Sequence, residues 1–218
     1  MGEIILIRHG QANSAATDEE SYDKLSELGH QQARWLGEHL RLHGEEFDTV
    51  LSGTLIRHQE TAASMGLVPD QMDARLNELD YFNLSDALEK ARGVPRPDSS
   101  SGPTGFAEHM PRVMKAWHDA EIQGQESFAN FESRIKAVLK EAEQPGRRVI
   151  CVTSGGVIGM ALRHLLGLDA LRMAHILLPI FNTSIHRVAV RPQGAMLAGF
   201  NATPHLDAKD RVYAKTHY

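Results

Sequence analysis

Short apolar runs alternate along this chain with longer segments in which apolar residues recur every three or four positions. The run EIILIR at residues 3–8 is too short for a helix and rich in Ile, so it predicts a buried strand. FDTVLSG at 47–53 and RRVICVTSGG at 147–156 predict two more strands, and each leads into a helical pattern. TSIHRVAV and AMLAGF, joined by RPQG, predict a closing pair of antiparallel strands.

The segments between the strands carry the signals of amphipathic helices. Ser26 is a favourable N-cap for a helix whose apolar face includes Leu36 and Leu40, and Gly44 follows its end. TLIRHQETAASMG at 54–66 predicts a second helix that ends at its glycine. Because strands alternate with helices, we predict an α/β three-layer sandwich, in which a mostly parallel central sheet carries helices on both faces.

Residues 92–105 differ in composition from the rest of the chain. They hold three Pro, three Gly and three Ser and predict a long flexible loop, flanked by helical patterns at 106–121 and 127–142. Such a loop is either a linker between domains or a lid over a site. Because the elements on its two sides read as one sheet, we predict a single domain over residues 1–218, with a helix-and-loop lid inserted at about 80–125.

Composition narrows the class of partner. The 218 residues are 42% hydrophobic and 23% charged, with a formal net charge of −5, as in an ordinary globular protein. This acidic balance predicts no binding to nucleic acid or to anionic membranes, so any anion site must be local. No apolar run reaches the roughly 18 residues of a membrane span. The single cysteine, Cys151, permits no intramolecular disulfide, which favours a reducing compartment and predicts a cytoplasmic location.

The first strand ends in a cation and an imidazole, Arg8 and His9, followed at once by Gly10. In parallel sheets, ligands bind at the carboxyl ends of the strands. The second predicted strand leads to Arg57, and the third ends at TSGG, residues 153–156, directly before a helix. Guanidinium groups and the amides of a helix N-terminus both suit phosphate oxygens. A neutral histidine beside a phosphate can attack the phosphorus atom.

Several segments resemble, in order, the sequence pattern of the histidine phosphatase superfamily, also called phosphoglycerate mutase-like. They are LIRHGQ, KLSELGHQQARWLGEHL, LIRHQETA (family pattern L.RA.QTA), RLNELD, ESFANFESRIKAVL, VTSGGVIGMALRHLLG (family pattern V.HGG.IR.L...LLG) and FNATPHL. Their order and spacing carry the resemblance, which covers most of the chain. It implies the α/β fold of that family and phosphoryl transfer through a phosphohistidine, with no metal or other cofactor.

By this resemblance His9 is the nucleophile, and Arg8 and Arg57 bind the phosphate oxygens. Glu78 is the general acid that protonates the leaving oxygen and then activates water, with Asp80 as the alternative. Contacts to phosphate or substrate are expected from a further set of residues: Gly10, Gln11, Asn13, Ser154 and Gly155.

The chain departs from the family's pattern at two places. The second histidine of the family falls at Ser154, which keeps a hydrogen-bond donor and loses the cation. If that charge-assisted bond acts in the transition state, its loss costs roughly tenfold to a hundredfold in rate. His58 and His164 are candidate substitutes, but the helical patterns predict that both lie on helix surfaces. The second departure is SGTL before Arg57, where the family has SPL, so the turn is expected to differ.

These residues predict a metal-independent phosphatase that acts on a small phosphorylated metabolite, weakened at Ser154. One alternative is a catalytically impaired protein that binds phosphate or a phosphometabolite. Another is a phosphoglycerate mutase. We rank it lower because the chain is shorter than the usual mutase and because its ending, FNATPHL, resembles that of phosphatase members. The expected partner is a small phosphorylated substrate or inorganic phosphate. Four residues of the lid either contact a second anionic group or are solvated loop charges: Arg92, Arg96, His109 and Arg112.

Overall fold

The protein's structure, a computed structural model, describes residues 2–13, 16, 18–98 and 101–217, with only the backbone of Pro103. The strands are β1 (Gly2–Arg8), β2 (Thr49–Ser52), β3 (Gln71–Met72), β4 (Arg148–Thr153), β5 (Ile185–Arg191) and β6 (Gly194–Ala202). The helices are α1 (Glu19–Tyr22), α2 (Glu27–Leu42), α3 (Ile56–Met65), α4 (Tyr81–Arg92), α5 (Gly102–His118), α6 (Phe128–Ala142), α7 (Gly155–Leu166) and α8 (Ala170–Leu177). Short 3-10 helices lie at Ala74–Leu76, Pro204–Leu206 and Val212–Ala214.

All the predicted strands belong to one sheet, with strand order β3-β2-β4-β1-β5-β6. The strands β3, β2, β4 and β1 run parallel to one another. β5 runs antiparallel to β1, and β6 runs antiparallel to β5. The predicted mostly parallel sheet and the closing antiparallel pair are therefore confirmed. The two residues of β3 are too few for a hydrophobic pattern to reveal.

Successive residues of β1 pack into two different hydrophobic layers. Ile4 and Leu6 pack with side chains of α4 to α8, whereas Ile5 and Ile7 pack with α2 and α3. Side chains alternate across a strand, so each face of the sheet is covered by its own helices. The predicted three-layer sandwich is confirmed. In the part of the chain that the structure describes, no helix is both long and apolar enough to cross a membrane.

The registers of the central strands bring their carboxyl ends together. Arg8 of β1 pairs with Thr153 of β4, and the His9 amide donates to the Thr153 carbonyl over 2.9 Å. Ser52, the last residue of β2, lies opposite Val152 of β4. The residues that follow these three strands therefore meet at one edge of the sheet, where parallel α/β proteins bind their ligands.

The region around the predicted loop is more helical than its composition suggests. α4 ends at Arg92, and α5 begins at Gly102, inside the stretch predicted as loop. A proline in the first turn, here Pro103, is compatible with a helix start, so the predicted loop of 92–105 is wrong at its C-terminal end. Its residues 99 and 100 lie outside the described residues. That this region acts as a lid, and that residues 1–218 form a single domain, stay predictions.

The segment that carries Glu78 is anchored to α6. Nη1 of Arg134 donates to the carbonyl of Arg75 over 2.7 Å and to that of Asn77 over 2.8 Å. Nη2 of Arg134 makes an ion pair with Glu126 at 2.7 Å. One side chain thus ties the residues directly before Glu78 to the helix layer.

We expect Arg134→Ala to lower the free energy of unfolding by about 1–3 kcal/mol, because two backbone carbonyls lose their donor. Urea unfolding followed by circular dichroism measures this loss. Lys136→Ala removes a more exposed ion pair with Glu132 on the same helix, and it should change the free energy of unfolding by less than about 1 kcal/mol. Equal losses in the two variants would contradict the anchoring role of Arg134.

Candidate active site

His9 is a buried histidine with one ring nitrogen left available. The residue is 2% exposed, and its Nδ1 lies 2.7 Å from the carbonyl oxygen of Gly10. Because a carbonyl only accepts, Nδ1 carries the proton and Nε2 keeps its lone pair. Burial, together with the positive charges of Arg57 and Arg8, lowers the pKa of His9 well below its usual value. His9 is therefore a neutral imidazole with its lone pair on Nε2, the state that a nucleophile needs.

Arg8 and Arg57 bring two buried guanidinium groups to this ring. Nη1 of Arg57 pairs with Glu19 Oε1 at 2.8 Å and with Asp23 Oδ1 at 3.2 Å. Nε and Nη2 of Arg57 and Nε of Arg8 have no hydrogen-bond partner within the described residues. Since buried donors are nearly always satisfied, these unpartnered groups are suited to an anion that has several oxygens, and phosphate binding by Arg8 and Arg57 stays a prediction.

Carboxylates around the cluster of Arg8, His9 and Arg57 keep Arg57 firmly protonated. Burial by itself would lower the pKa of Arg57, but Glu19, Tyr22 and Glu78 outweigh it and the pKa is raised. The pKa of Arg8 is lowered, chiefly by burial. Guanidinium groups nevertheless stay protonated in proteins. Two positive charges therefore face the neutral ring of His9.

Glu78 lies at the N-terminus of α7 and close to both guanidinium groups. Its Oε2 accepts a hydrogen bond from the Gly156 amide at 3.0 Å, and its Oε1 accepts one from the Leu79 amide at 3.0 Å. A Cβ on residue 156 would lie 2.1 Å from Oε1 of Glu78, so only glycine permits this approach. Asp80, the alternative acid, is the N-cap of α4 and accepts from the Asn83 amide at 3.0 Å. The structure thus gives Asp80 a capping role, and the role of Glu78 as the acid stays a prediction.

The two glycines of the predicted phosphate site lie where the backbone must pass close to its surroundings. A Cβ on Gly10 would lie 2.5 Å from the carbonyl oxygen of Gly29 in α2, and the Gly10 amide donates to Thr61 Oγ1 over 3.0 Å. A Cβ on Gly155 would lie 3.7 Å from Nε of Arg8. The first turn of α7 therefore borders the unpartnered side of Arg8.

Gln11 and Asn13 are engaged in local hydrogen bonds that fix the path of the chain after β1. Oε1 of Gln11 accepts from the hydroxyl of Ser26 over 2.8 Å. That hydroxyl also accepts from the Gly29 amide over 3.0 Å, which confirms the predicted N-cap of α2. Nδ2 of Asn13 donates to the carbonyl of Ser21 over 2.9 Å. A contact of Gln11 or Asn13 with phosphate or substrate stays a prediction.

Ser154 and His58 are in direct contact inside the protein. Nε2 of His58 lies 2.6 Å from Oγ of Ser154, and both residues are fully buried. The centroid of the His58 ring is 5.7 Å from that of His9. The prediction that His58 lies on a helix surface is therefore wrong, whereas His164 is exposed as predicted. Burial, and then the charge of Arg57, lowers the pKa of His58 well below its usual value.

Residues of the short helix α1 complete the cluster, and the sequence pattern gives no signal for them. Tyr22 places its ring centroid 5.0 Å from Cζ of Arg57 and 6.4 Å from the ring of His9. Asp23 also accepts from the Arg57 amide over 3.1 Å. Burial raises the pKa of Glu19 above its ordinary value. A helix of four residues is too short to show a period, so these contacts emerge only from the fold.

The four charged residues of the predicted lid have different surroundings. Arg92 is paired with Glu121 at the surface, and Arg112 is exposed. His109 is buried, with its Nδ1 2.9 Å from the hydroxyl of Tyr81. Cζ of Arg96 lies 4.8 Å from the ring of Phe82, which is itself 6.4 Å from the ring of Tyr22 in the cluster. Arg96 is therefore the lid cation linked to the cluster through neighbouring rings.

The structure is that of an α/β protein with a buried histidine and two buried arginines at the carboxyl edge of its sheet. The chain belongs to the histidine phosphatase superfamily. The family described as "Histidine phosphatase superfamily (branch 1)" matches residues 4–203. The resemblance seen in the sequence is thereby confirmed.

Known proteins are similar to the chain over different lengths. The mitochondrial serine/threonine-protein phosphatase Pgam5 of Drosophila grimshawi is 34% identical over 96 residues, which cover 43% of this chain and only 29% of that protein. A 2,3-bisphosphoglycerate-dependent phosphoglycerate mutase of Mesorhizobium japonicum is 28% identical over 181 residues, covering 78% of this chain and 80% of the mutase. A phosphoserine phosphatase mutant of Entamoeba histolytica, solved with phosphoserine, shares the fold with a TM-score of 0.67 and 21% identity, over 94% of this chain and 100% of that chain.

We expect Arg57→Met to weaken the binding of inorganic phosphate by roughly tenfold or more, because charge-assisted hydrogen bonds to the anion are lost. Isothermal titration calorimetry measures the dissociation constant. Arg92→Met is the matched control, since Arg92 is half exposed and paired with Glu121. Its phosphate affinity should equal that of the wild type. Unchanged affinity in Arg57→Met would show that the unpartnered guanidinium nitrogens do not form the anion site.

Proposed function

We propose that the protein hydrolyses small phosphomonoesters through a phosphohistidine formed on His9, without a metal ion. The observation that carries this proposal is a neutral, buried His9, protonated at Nδ1, beside two guanidinium groups in which Nε of Arg8 and Nε and Nη2 of Arg57 have no partner among the described residues. In the first step, the Nε2 lone pair attacks phosphorus and the ester P–O bond breaks. Arg8 and Arg57 bind the phosphoryl oxygens and stabilise the charge that develops on them.

Glu78 supplies the proton for this step. In its protonated form the Glu78 carboxyl group gives its proton to the leaving oxygen. In the second step, the Glu78 carboxylate takes a proton from water, and the water oxygen attacks phosphorus. The N–P bond breaks, Nε2 regains its lone pair, and inorganic phosphate leaves.

Hydrolysis rather than mutase chemistry fits the charges of the site. A mutase must keep its phosphoenzyme from water and hold a second acidic group of the substrate. The loss of a cation at Ser154 makes the first task harder, and among the described arginines of the predicted lid Arg92 is paired at the surface and Arg112 is exposed. The phosphoserine in the Entamoeba histolytica structure supports a small phosphorylated molecule as the substrate. The Mesorhizobium japonicum relative makes mutase activity the reaction to exclude, by an isomerisation assay with and without bisphosphoglycerate.

A second candidate function rests on Ser154. Without the second histidine of the family, the pocket retains the features needed to bind phosphate even if turnover is weak. Release of p-nitrophenol from p-nitrophenyl phosphate, set against phosphate affinity, separates the two. Tight phosphate binding with no turnover by the purified wild type would favour the binding protein.

His9→Ala should abolish phosphate release, because no other described group is placed to form the covalent intermediate. Treatment of the wild type with a labelled phosphodonor should leave acid-labile label on the protein, and this label should be missing from the variant. His164→Ala, which removes an exposed histidine of α7, should label like the wild type. Equal labelling of His9→Ala and the wild type would rule out His9 as the nucleophile.

Glu78→Gln should slow alkyl phosphates much more than aryl phosphates, because a phenolic leaving group needs little protonation. Asp80→Asn is the matched control, since Asn also caps helices and should preserve α4. Steady-state kinetics with both substrate types measures the difference. If Asp80→Asn shows the selective loss and Glu78→Gln does not, the acid is Asp80.

A further inference from the structure

The contact between His58 and Ser154 lies beside the nucleophile and joins residues 96 positions apart in the chain. Both side chains are fully buried, and the His58 ring is 5.7 Å from the His9 ring. A buried polar pair of this kind costs free energy unless its hydrogen bonds are satisfied. The proposed phosphatase mechanism, as derived so far, uses neither residue.

The His58 ring fills a space that exists because residue 53 has no side chain. A Cβ on residue 53 would lie 2.1 Å from Nδ1 of His58, so a side chain at this position would expel the imidazole. Gly53 belongs to SGTL, the segment in which the chain departs from the family's pattern before Arg57. His58 stands where that pattern has Ala, and Ser154 where it has His. The SGTL segment and Ser154, which are far apart in the chain, therefore meet around one ring that itself differs from the pattern.

The surroundings of His58 indicate which residue of the pair donates the hydrogen bond. Nδ1 of His58 has no partner among the described residues. Leaving a lone pair there, with the proton on Nε2, avoids a buried N–H without an acceptor. Nε2–H then donates to Oγ of Ser154. When Oγ of Ser154 accepts from His58, the hydroxyl proton takes no part in that bond and can be donated to another oxygen.

We propose that His58 is a positioning residue for phosphoryl transfer, whose Nε2–H donates to Ser154 Oγ so that the Ser154 hydroxyl donates to a phosphoryl oxygen on its way to or from His9. The pair thereby replaces the second histidine of the family with a neutral relay. No proton leaves either residue in the reaction. This inference rests on the proposed function.

A relay of this kind acts mainly on the transition state. Negative charge on the phosphoryl oxygens grows as the group is transferred, so a donor held in place by a second hydrogen bond gains strength there. Its loss should therefore lower kcat and leave KM nearly unchanged. A purely structural role of His58 would show itself in stability and in both kinetic constants.

The first variants remove the hydrogen-bond donor of His58 and keep a side chain in the space that its ring fills. His58→Leu keeps an apolar side chain in the niche and should lower kcat roughly tenfold or more, by the loss of one hydrogen bond in the transition state. His58→Gln keeps a neutral N–H near the position of Nε2 and should recover most of that loss. Ser154→Ala should resemble His58→Leu, and the double variant should be no worse than either alone, because the two residues act as one unit. His164→Leu is the matched control and should equal the wild type.

A second set of variants places a histidine at position 154, where the family's pattern has one. Ser154→His in the wild-type background should lower activity, because Nε2 of His58 already lies 2.6 Å from the Ser154 oxygen. His58→Ala with Ser154→His should be more active than either single variant, since the new ring then enters the space left by the old one. Circular dichroism and urea unfolding show that each variant is folded.

Two outcomes distinguish the inference from the function on which it rests. Full kcat in His58→Leu, with His9→Ala inactive, would overturn the relay and leave the phosphatase standing. An inactive, unlabelled wild type would overturn the phosphatase. In that case the affinity for orthovanadate tests the proposed role of His58 and Ser154, because vanadate presents oxygens like those of a phosphoryl group. Roughly tenfold weaker vanadate binding by His58→Leu and Ser154→Ala would support the relay to an oxyanion, and unchanged affinity would overturn it.

Discussion

The structure depends on keeping two guanidinium groups, Arg8 and Arg57, inside the protein at the edge of one sheet. Burying a charge costs several kcal/mol unless it is paired and hydrogen-bonded. Glu19 and Asp23 offset part of this cost for Arg57. Among the described residues, the remaining unpartnered nitrogens are the groups that we propose to bind an oxyanion. Burial, together with the same positive charges, lowers the pKa of His9.

That cluster is possible only because several chain segments approach more closely than side chains normally allow. Gly10 lets the end of β1 pass against the first turn of α2, Gly156 admits the carboxylate of Glu78, and Gly53 admits the ring of His58. In each case a Cβ would lie within about 2.5 Å of its neighbour, closer than van der Waals contact permits. Packing of glycines, as much as the choice of charged residues, therefore determines the geometry of the site.

The proposed relay changes how a missing catalytic residue is to be interpreted. A comparison made one position at a time finds only a loss at Ser154. The fold instead shows a histidine from α3 in contact with that serine, in a niche that a glycine after β2 provides. In the proposed relay, the missing donor is supplied from another element of the fold, α3. This requires both a histidine at position 58 and a glycine at position 53 that leaves room for its ring.

The sequence by itself determined the strands of the described sheet other than β3, the N-cap of α2, the order of the motifs, and Arg8, His9, Arg57 and Glu78 as candidates. These follow from periodicity, from local capping chemistry and from a family resemblance, all of which are read along a short stretch of chain. Only the tertiary structure decided that Asp80 caps α4, that Tyr22 stacks near Arg57, and that His58 is buried. The reason is physical: a helical period shows which face is apolar, but strand register and close backbone packing determine which distant side chains meet on that face.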